Sequence, residues 1–109
     1  MALNFNSLLN GMLDAAKESL GEHWEGIKDV ATTSFKSLTM HLIDIEKMKS
    51  SGSITEEKAA LLIGFQKDAI KIAIATEKGL SLLTAEAALN AALDVVRNTV
   101  NKAIGFAIL

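Results

Sequence analysis

Two histidines are the residues of this sequence best suited to metal or proton chemistry, because imidazole both binds metals and carries protons. His23 and His41 lie five helical turns apart, about 27 Å along a helix axis, so one metal ion cannot bind both within one chain. An antiparallel second copy that places His23 opposite His41 is the only route to a shared site. The simpler interpretation is a pair of boundary histidines whose polar edges face water.

The carboxylates do not complete a metal motif. A ferritin-like di-iron site needs a glutamate from each of two helices and a Glu-x-x-His motif from each of the other two. Leucine stands three residues before each histidine, at Leu20 and Leu38, so this motif is missing. The remaining weak candidates for a metal site are Glu77, Glu22, His23 and His41.

Glu77 is the acid whose predicted position is most unusual. By helical angle it lies between two apolar stripes, where a lone carboxylate is costly unless it is paired. In an antiparallel hairpin, Lys28 of the first arm lies within one helical turn of Glu77 along the axis. We therefore predict a half-buried ion pair between Lys28 and Glu77. The alternative is a site in which Glu77 meets Glu22 and His23 at one level.

The other common kinds of functional site find no support in the composition. Cysteine is absent, which excludes a disulfide framework, a zinc–thiolate site and a thiol nucleophile. Phosphate-binding glycine loops and a Ser-His-Asp arrangement at usable spacing are absent as well. The net charge of −2 argues against a nucleic-acid groove. We therefore expect no catalytic residues, no cofactor and no nucleic-acid partner.

One strong turn signal divides the chain near its midpoint. Gly52 is typical of a left-handed helix stop, and Ser53 with Glu56 three residues later forms a predicted capping box. The chain contains no proline, the usual helix breaker. We predict a single domain spanning residues 1–109, with a first helical arm over 6–49, a turn over 50–53 and a second arm over 54–108.

Both arms carry helical periodicity. Apolar residues recur every three or four positions from Leu9 to Ile45, which predicts one continuous helix of about 65 Å. The second arm carries two apolar stripes about 130° apart, so it needs two neighbouring helices. The first stripe contains Leu62, Phe65, Ala69, Ile72, Thr76, Leu80 and Leu83, and the second contains Ile63, Ile70 and Ile74.

The fold class predicted is all-α: a long antiparallel hairpin that completes a four-helix bundle by homodimerisation. Residues whose numbers sum to about 103 lie level in such a hairpin, which places Trp24 opposite Gly79. A possible break at 79–84, where Thr84 can cap a new helix, supports the alternative of a monomeric four-helix up-down bundle.

The predicted interface follows from the hairpin. The stripe of Ile63, Ile70 and Ile74 has no neighbour within it, and an exposed stripe of this kind marks an interface. The apolar carboxyl end, with Phe106 and Ile108, is expected to be buried against another chain. We therefore predict a non-enzymatic structural or interaction module that acts through self-association, with a dimer as the first choice.

Two other functions stay open at this point. One is a carboxylate/His metal-binding bundle, and the other is an amphipathic protein that binds a lipid or membrane surface. An acidic stripe on the outer side of the first arm disfavours the membrane surface. Its members are Asp14, Glu18, Glu22, Glu25 and Asp29. No signal peptide or transmembrane segment is visible, so we expect a cytoplasmic protein.

Overall fold

The computed structural model describes residues 2–109, and all regular secondary structure in that range is helical. Four α-helices follow one another: α1 (Phe5–Leu20), α2 (Trp24–Ser50), α3 (Glu56–Glu77) and α4 (Leu82–Ile104). A short 3-10 turn, Gly21–His23, separates the first two. The predicted all-α fold class is confirmed.

The prediction of one continuous helix over residues 6–49 was wrong. Gly21 ends α1 with a φ of 54°, a conformation that glycine adopts at little cost, and its N–H donates to the carbonyl of Lys17. The chain then reverses, and the start of α1 lies beside the end of α2, where the N–H of Leu3 donates to the carboxylate of Glu46. The apolar spacing stays in phase across this reversal because both helices contribute to the same core.

Each helix packs against its neighbours within the one chain. α1 contacts α2 and α4, and α3 contacts the same two helices from the other side. Consecutive helices run antiparallel, which gives an up-down-up-down order. The molecule measures 42 × 23 × 18 Å, so its longest dimension matches α2 alone and not a 65 Å arm. Homodimerisation remains a prediction.

The turn between α2 and α3 differs in detail from the predicted capping box. Gly52 has a φ of 72° and reverses the chain as expected. The N-cap of α3 is Thr55, whose Oγ1 accepts from the N–H of Lys58 at 3.2 Å. Ser53 hydrogen-bonds Ser51, and the Glu56 carboxylate accepts instead from the N–H of Ala107 at 2.9 Å. Glu56 therefore ties the start of α3 to the chain beyond α4.

The second break lies between α3 and α4. Gly79 has a φ of 65°, and Ser81 caps α4 by accepting from the N–H of Thr84 at 3.1 Å. Nothing lies within 4 Å of the position that a Cβ at Gly79 would occupy. The predicted packing of Trp24 against Gly79 was therefore wrong, although Trp24 itself is buried.

The core runs the length of the bundle between the four helices. α2 contributes about one buried residue per turn, and the predicted stripe of the first arm is buried except for Leu13, which is half-buried. α3 contributes its isoleucine stripe, and α4 contributes a face rich in alanine that permits close helix approach. The largest fully buried side chains include Phe35, Met12, Ile27, Leu38, Leu42, Ile45, Ile63, Ile70, Ile74 and Leu93.

Candidate interaction surface

The four weak metal candidates are all exposed in the structure. Glu22 and His23 belong to the 3-10 turn at one end of the bundle, His41 lies in the second half of α2, and Glu77 ends α3. No group of three or more His, Cys, Asp or Glu side chains within residues 2–109 is arranged to hold a metal ion.

The predicted half-buried ion pair of Glu77 with Lys28 was wrong. Glu77 is the last residue of α3 and its side chain is exposed. Lys28 instead approaches Glu25, one turn earlier in α2, at 3.9 Å, and both side chains are largely in water. The position of Glu77 around the helix lies between two apolar stripes. Because Glu77 is at the end of the helix, that position does not determine whether its side chain is buried.

His41 takes part in a hydrogen-bonded chain that joins α2 to α3. Its Nδ1 lies within hydrogen-bond distance, 2.6 Å, of Oε1 of Gln66, and Nε2 of Gln66 donates to Oγ of Ser37 at 3.2 Å. Ser37 and Gln66 also lie level in α2 and α3 as the hairpin predicts, since the two numbers sum to 103.

Ile63, Ile70 and Ile74 were predicted to form an interface because no helix of their own chain covers them in the predicted hairpin. That premise was wrong. Their exposed fractions are 1%, 2% and 0%, because α2 and α4 cover them within the same chain. The premise for the carboxyl end was also wrong, since Phe106 and Ile108 pack on their own chain. Ile108 is buried, and the Phe106 ring lies 5.1 Å from the Nζ of Lys49.

A side-chain amide holds this carboxyl end in place. Oδ1 of Asn101 accepts from the N–H groups of Ile108 and Leu109, at 3.1 Å each. The chain turns back at Gly105, whose φ is 84°. The last residues thereby close the end of the bundle where α2 stops and α3 starts.

The apolar stripe that lies exposed is the other one on α3. Leu61, Leu62, Phe65 and Ile72 have exposed fractions of 57%, 42%, 64% and 56%. They project away from the isoleucine stripe within an arc of about 100°. We call this surface the α3 outer face, and it consists of Leu61, Leu62, Phe65, Ala69, Ile72 and Thr76.

A groove runs beside the α3 outer face, between α2 and α3. Its volume is about 450 Å³ and its floor is formed by Ile45 and Ile63. His41, Asp44 and Met48 line the α2 side. Leu62, Phe65 and Ala69 line the other side, so the outer face and the groove form one continuous apolar surface.

The other exposed large apolar side chains do not form a comparable stripe. Met40 on α2 and Val95 on α4 stand on different helices, and Leu82 and Leu83 lie together in the first turn of α4. Single exposed apolar residues of this kind are common on protein surfaces. The α3 outer face is therefore the strongest candidate for a binding surface.

A buried carboxylate escaped the sequence analysis. Glu46 is 5% exposed, and its two oxygens accept from the N–H groups of Ala2 at 3.1 Å and Leu3 at 3.4 Å. Leu3 is itself buried against the core. Glu46 thus fixes the segment before α1 and has a structural role.

Comparison with protein-family models, curated proteins and solved structures gives no match for this chain. None of the helices within residues 2–109 combines the length and the apolar character needed to cross a membrane.

Proposed function

We propose that this protein is a non-enzymatic interaction module that acts through self-association, and that the α3 outer face is its contact surface. The observation that carries the proposal is a helix with two apolar faces in a bundle that covers only one. The isoleucine stripe of α3 is buried in the core, whereas Phe65 on the opposite side is 64% exposed.

The size of the α3 outer face is consistent with an interface. Taking about 200 Å² for a fully exposed large apolar side chain, the exposed fractions of Leu61, Leu62, Phe65 and Ile72 correspond to roughly 450 Å². Contiguous apolar patches of about 300–600 Å² are the largest found on typical monomers and are often functional. A standard interface takes about 800 Å² from each partner, so this patch supplies more than half of that area.

The spacing of the face favours a helix as its partner. Leu62, Phe65, Ala69, Ile72 and Thr76 follow one another at steps of three, four, three and four residues, the repeat of a coiled-coil seam. Such a seam is complemented by a second helix with the same repeat. A second copy of this chain supplies such a helix.

Analytical ultracentrifugation tests the proposal. We expect the protein to sediment at least as a dimer at micromolar concentration. Phe65→Glu places an unpaired charge in the centre of the contact and is expected to weaken association at least tenfold. Val95→Glu is the matched control, because Val95 is 56% exposed on α4, away from the α3 outer face, and this change should leave association intact.

Two results would contradict the proposal. One is a wild-type protein that stays monomeric up to about 100 µM, well above the micromolar range expected of such a module. The other is a dimer that Phe65→Glu leaves unchanged and Val95→Glu disrupts, which would move the contact to α4.

A further inference from the structure

We infer that two copies pair antiparallel along α3, with Leu62 of one copy opposite Ile72 of the other and Phe65 opposite Ala69. This inference rests on the proposed self-association and specifies its geometry. The two-fold axis then passes between the helices at the level of residue 67, and the contact is the same for both copies, as in most symmetric dimers.

The side-chain sizes favour this arrangement over a parallel one. In the antiparallel pairing, each Phe65 faces the small Ala69 of the other copy, so a large side chain meets a small one in both central layers. In a parallel pairing, Phe65 faces Phe65 and Ala69 faces Ala69, which crowds one layer and leaves a gap in the next.

The groove beside α3 supports the same arrangement. Ala69 and Leu62 line its α3 side, and Met48 lines the α2 side. A phenylalanine that approaches Ala69 from the partner copy therefore enters a groove of about 450 Å³ that is lined mainly by apolar side chains. The contact then includes α2 as well as α3, which adds area beyond the α3 outer face.

Charges at the two ends of α3 favour the antiparallel direction. Lys58 lies on the line of the stripe, four residues before Leu62, and is exposed. In the antiparallel pairing it is level with Thr76 of the other copy and beside the exposed Glu77, whereas a parallel pairing stacks Lys58 on Lys58. Opposed helix dipoles favour the antiparallel direction as well.

One like-charge contact follows from this register. Asp68 is exposed on the edge of the stripe away from the groove, one residue from the level of the axis. The two copies therefore bring their Asp68 carboxylates near each other. Asp68→Asn removes this repulsion and should tighten the dimer on the order of twofold.

Cysteine cross-linking tests the register, because the natural chain contains no cysteine. Leu62→Cys and Ile72→Cys are prepared as separate single variants, one of them with a tag that changes its mass. After mild oxidation at a concentration above the dissociation constant, the mixture should form a disulfide-linked dimer containing one copy of each. Neither variant alone should cross-link efficiently, since residues 62 and 62 of two antiparallel copies lie about 15 Å apart along the axis.

The outcomes separate this inference from the proposed function. Efficient cross-linking of Leu62→Cys with itself shows a parallel pairing and overturns the inference, while self-association stands. A dimer in sedimentation without any cross-link between the two variants overturns the register in the same way. A protein that is monomeric in sedimentation overturns the proposed function and the inference together. Val95→Cys measures the background of random collision, because Val95 is as exposed as Ile72.

Discussion

Removing the buried carboxylate of Glu46 is expected to destabilise the fold by about 1.5–2 kcal/mol, since hydrogen bonds to charged groups contribute about 1.5–3 kcal/mol each. Both of its contacts are long, at 3.1 and 3.4 Å, which places each in the lower part of that range. Ala2 is exposed, so its N–H can bind water in the variant. Leu3 is buried, and in Glu46→Ala its N–H loses its partner. Most of the loss in unfolding free energy therefore comes from the unpaired N–H of Leu3.

Urea unfolding followed by circular dichroism measures this loss. Glu18→Ala is the control, because Glu18 is an exposed helical glutamate, and its change should stay within about 0.5 kcal/mol. A double-mutant cycle with Leu3→Ala identifies the route. If Glu46 acts by fixing Leu3, the two losses are less than additive. A loss below about 0.5 kcal/mol for Glu46→Ala, or full additivity with Leu3→Ala, would refute this reasoning.

Two matched pairs of substitutions test the assignment of faces and turns, and unfolding of the monomer measures each one. Ile70→Ala should cost about 2–4 kcal/mol because Ile70 is 2% exposed, whereas Ile72→Ala should change stability by less than about 1 kcal/mol. Equal losses would mean that the two faces of α3 are wrongly assigned. Gly64→Ala should stabilise the helix by up to about 1 kcal/mol, and Gly79→Ala should destabilise by a similar amount because its φ is 65°. Neither site has an atom within 4 Å of the new Cβ, so a loss at Gly64 would contradict this explanation.

Helical periodicity predicted the class of fold and the buried face of α2 correctly. It also located the reversal at Gly52, because a glycine between two periodic segments is a strong stop signal. The reversal at Gly21 escaped it. The apolar steps continue in phase through Gly21, and periodicity reports which residues face a core, not whether the helix axis is straight.

The prediction also chose the wrong stripe of α3 as the one exposed on a single chain, and the reason is related. Each stripe alone satisfies the helical repeat, and only the positions of the neighbouring helices decide which one is covered. Once α1 folds back on α2, α4 lies beside α3 in the same chain and the isoleucine stripe is buried. The hairpin interpretation gave α3 one neighbour from its own chain and therefore left Ile70 for a second copy.

Glu46 could not be found from the sequence because its partners are backbone N–H groups. Residues 2 and 3 are 44 and 43 positions away and carry no side-chain signal for a carboxylate. Glu77 was overvalued for the converse reason, since its helical angle is unusual but it ends its helix in water. Burial of an ionisable group thus depended on tertiary position in both cases.

The folding state of monomeric Phe65→Glu tests most directly the claim that α3 uses one face to fold and the other to associate. At a concentration where this variant sediments as a monomer, we expect it to keep the helix content of the wild type and to unfold cooperatively in urea. That result would mean that the isoleucine stripe of α3 stabilises the fold of one chain and that the α3 outer face is used for association. A variant that loses its helices when it becomes monomeric would show that the second copy completes the core, and would contradict the claim.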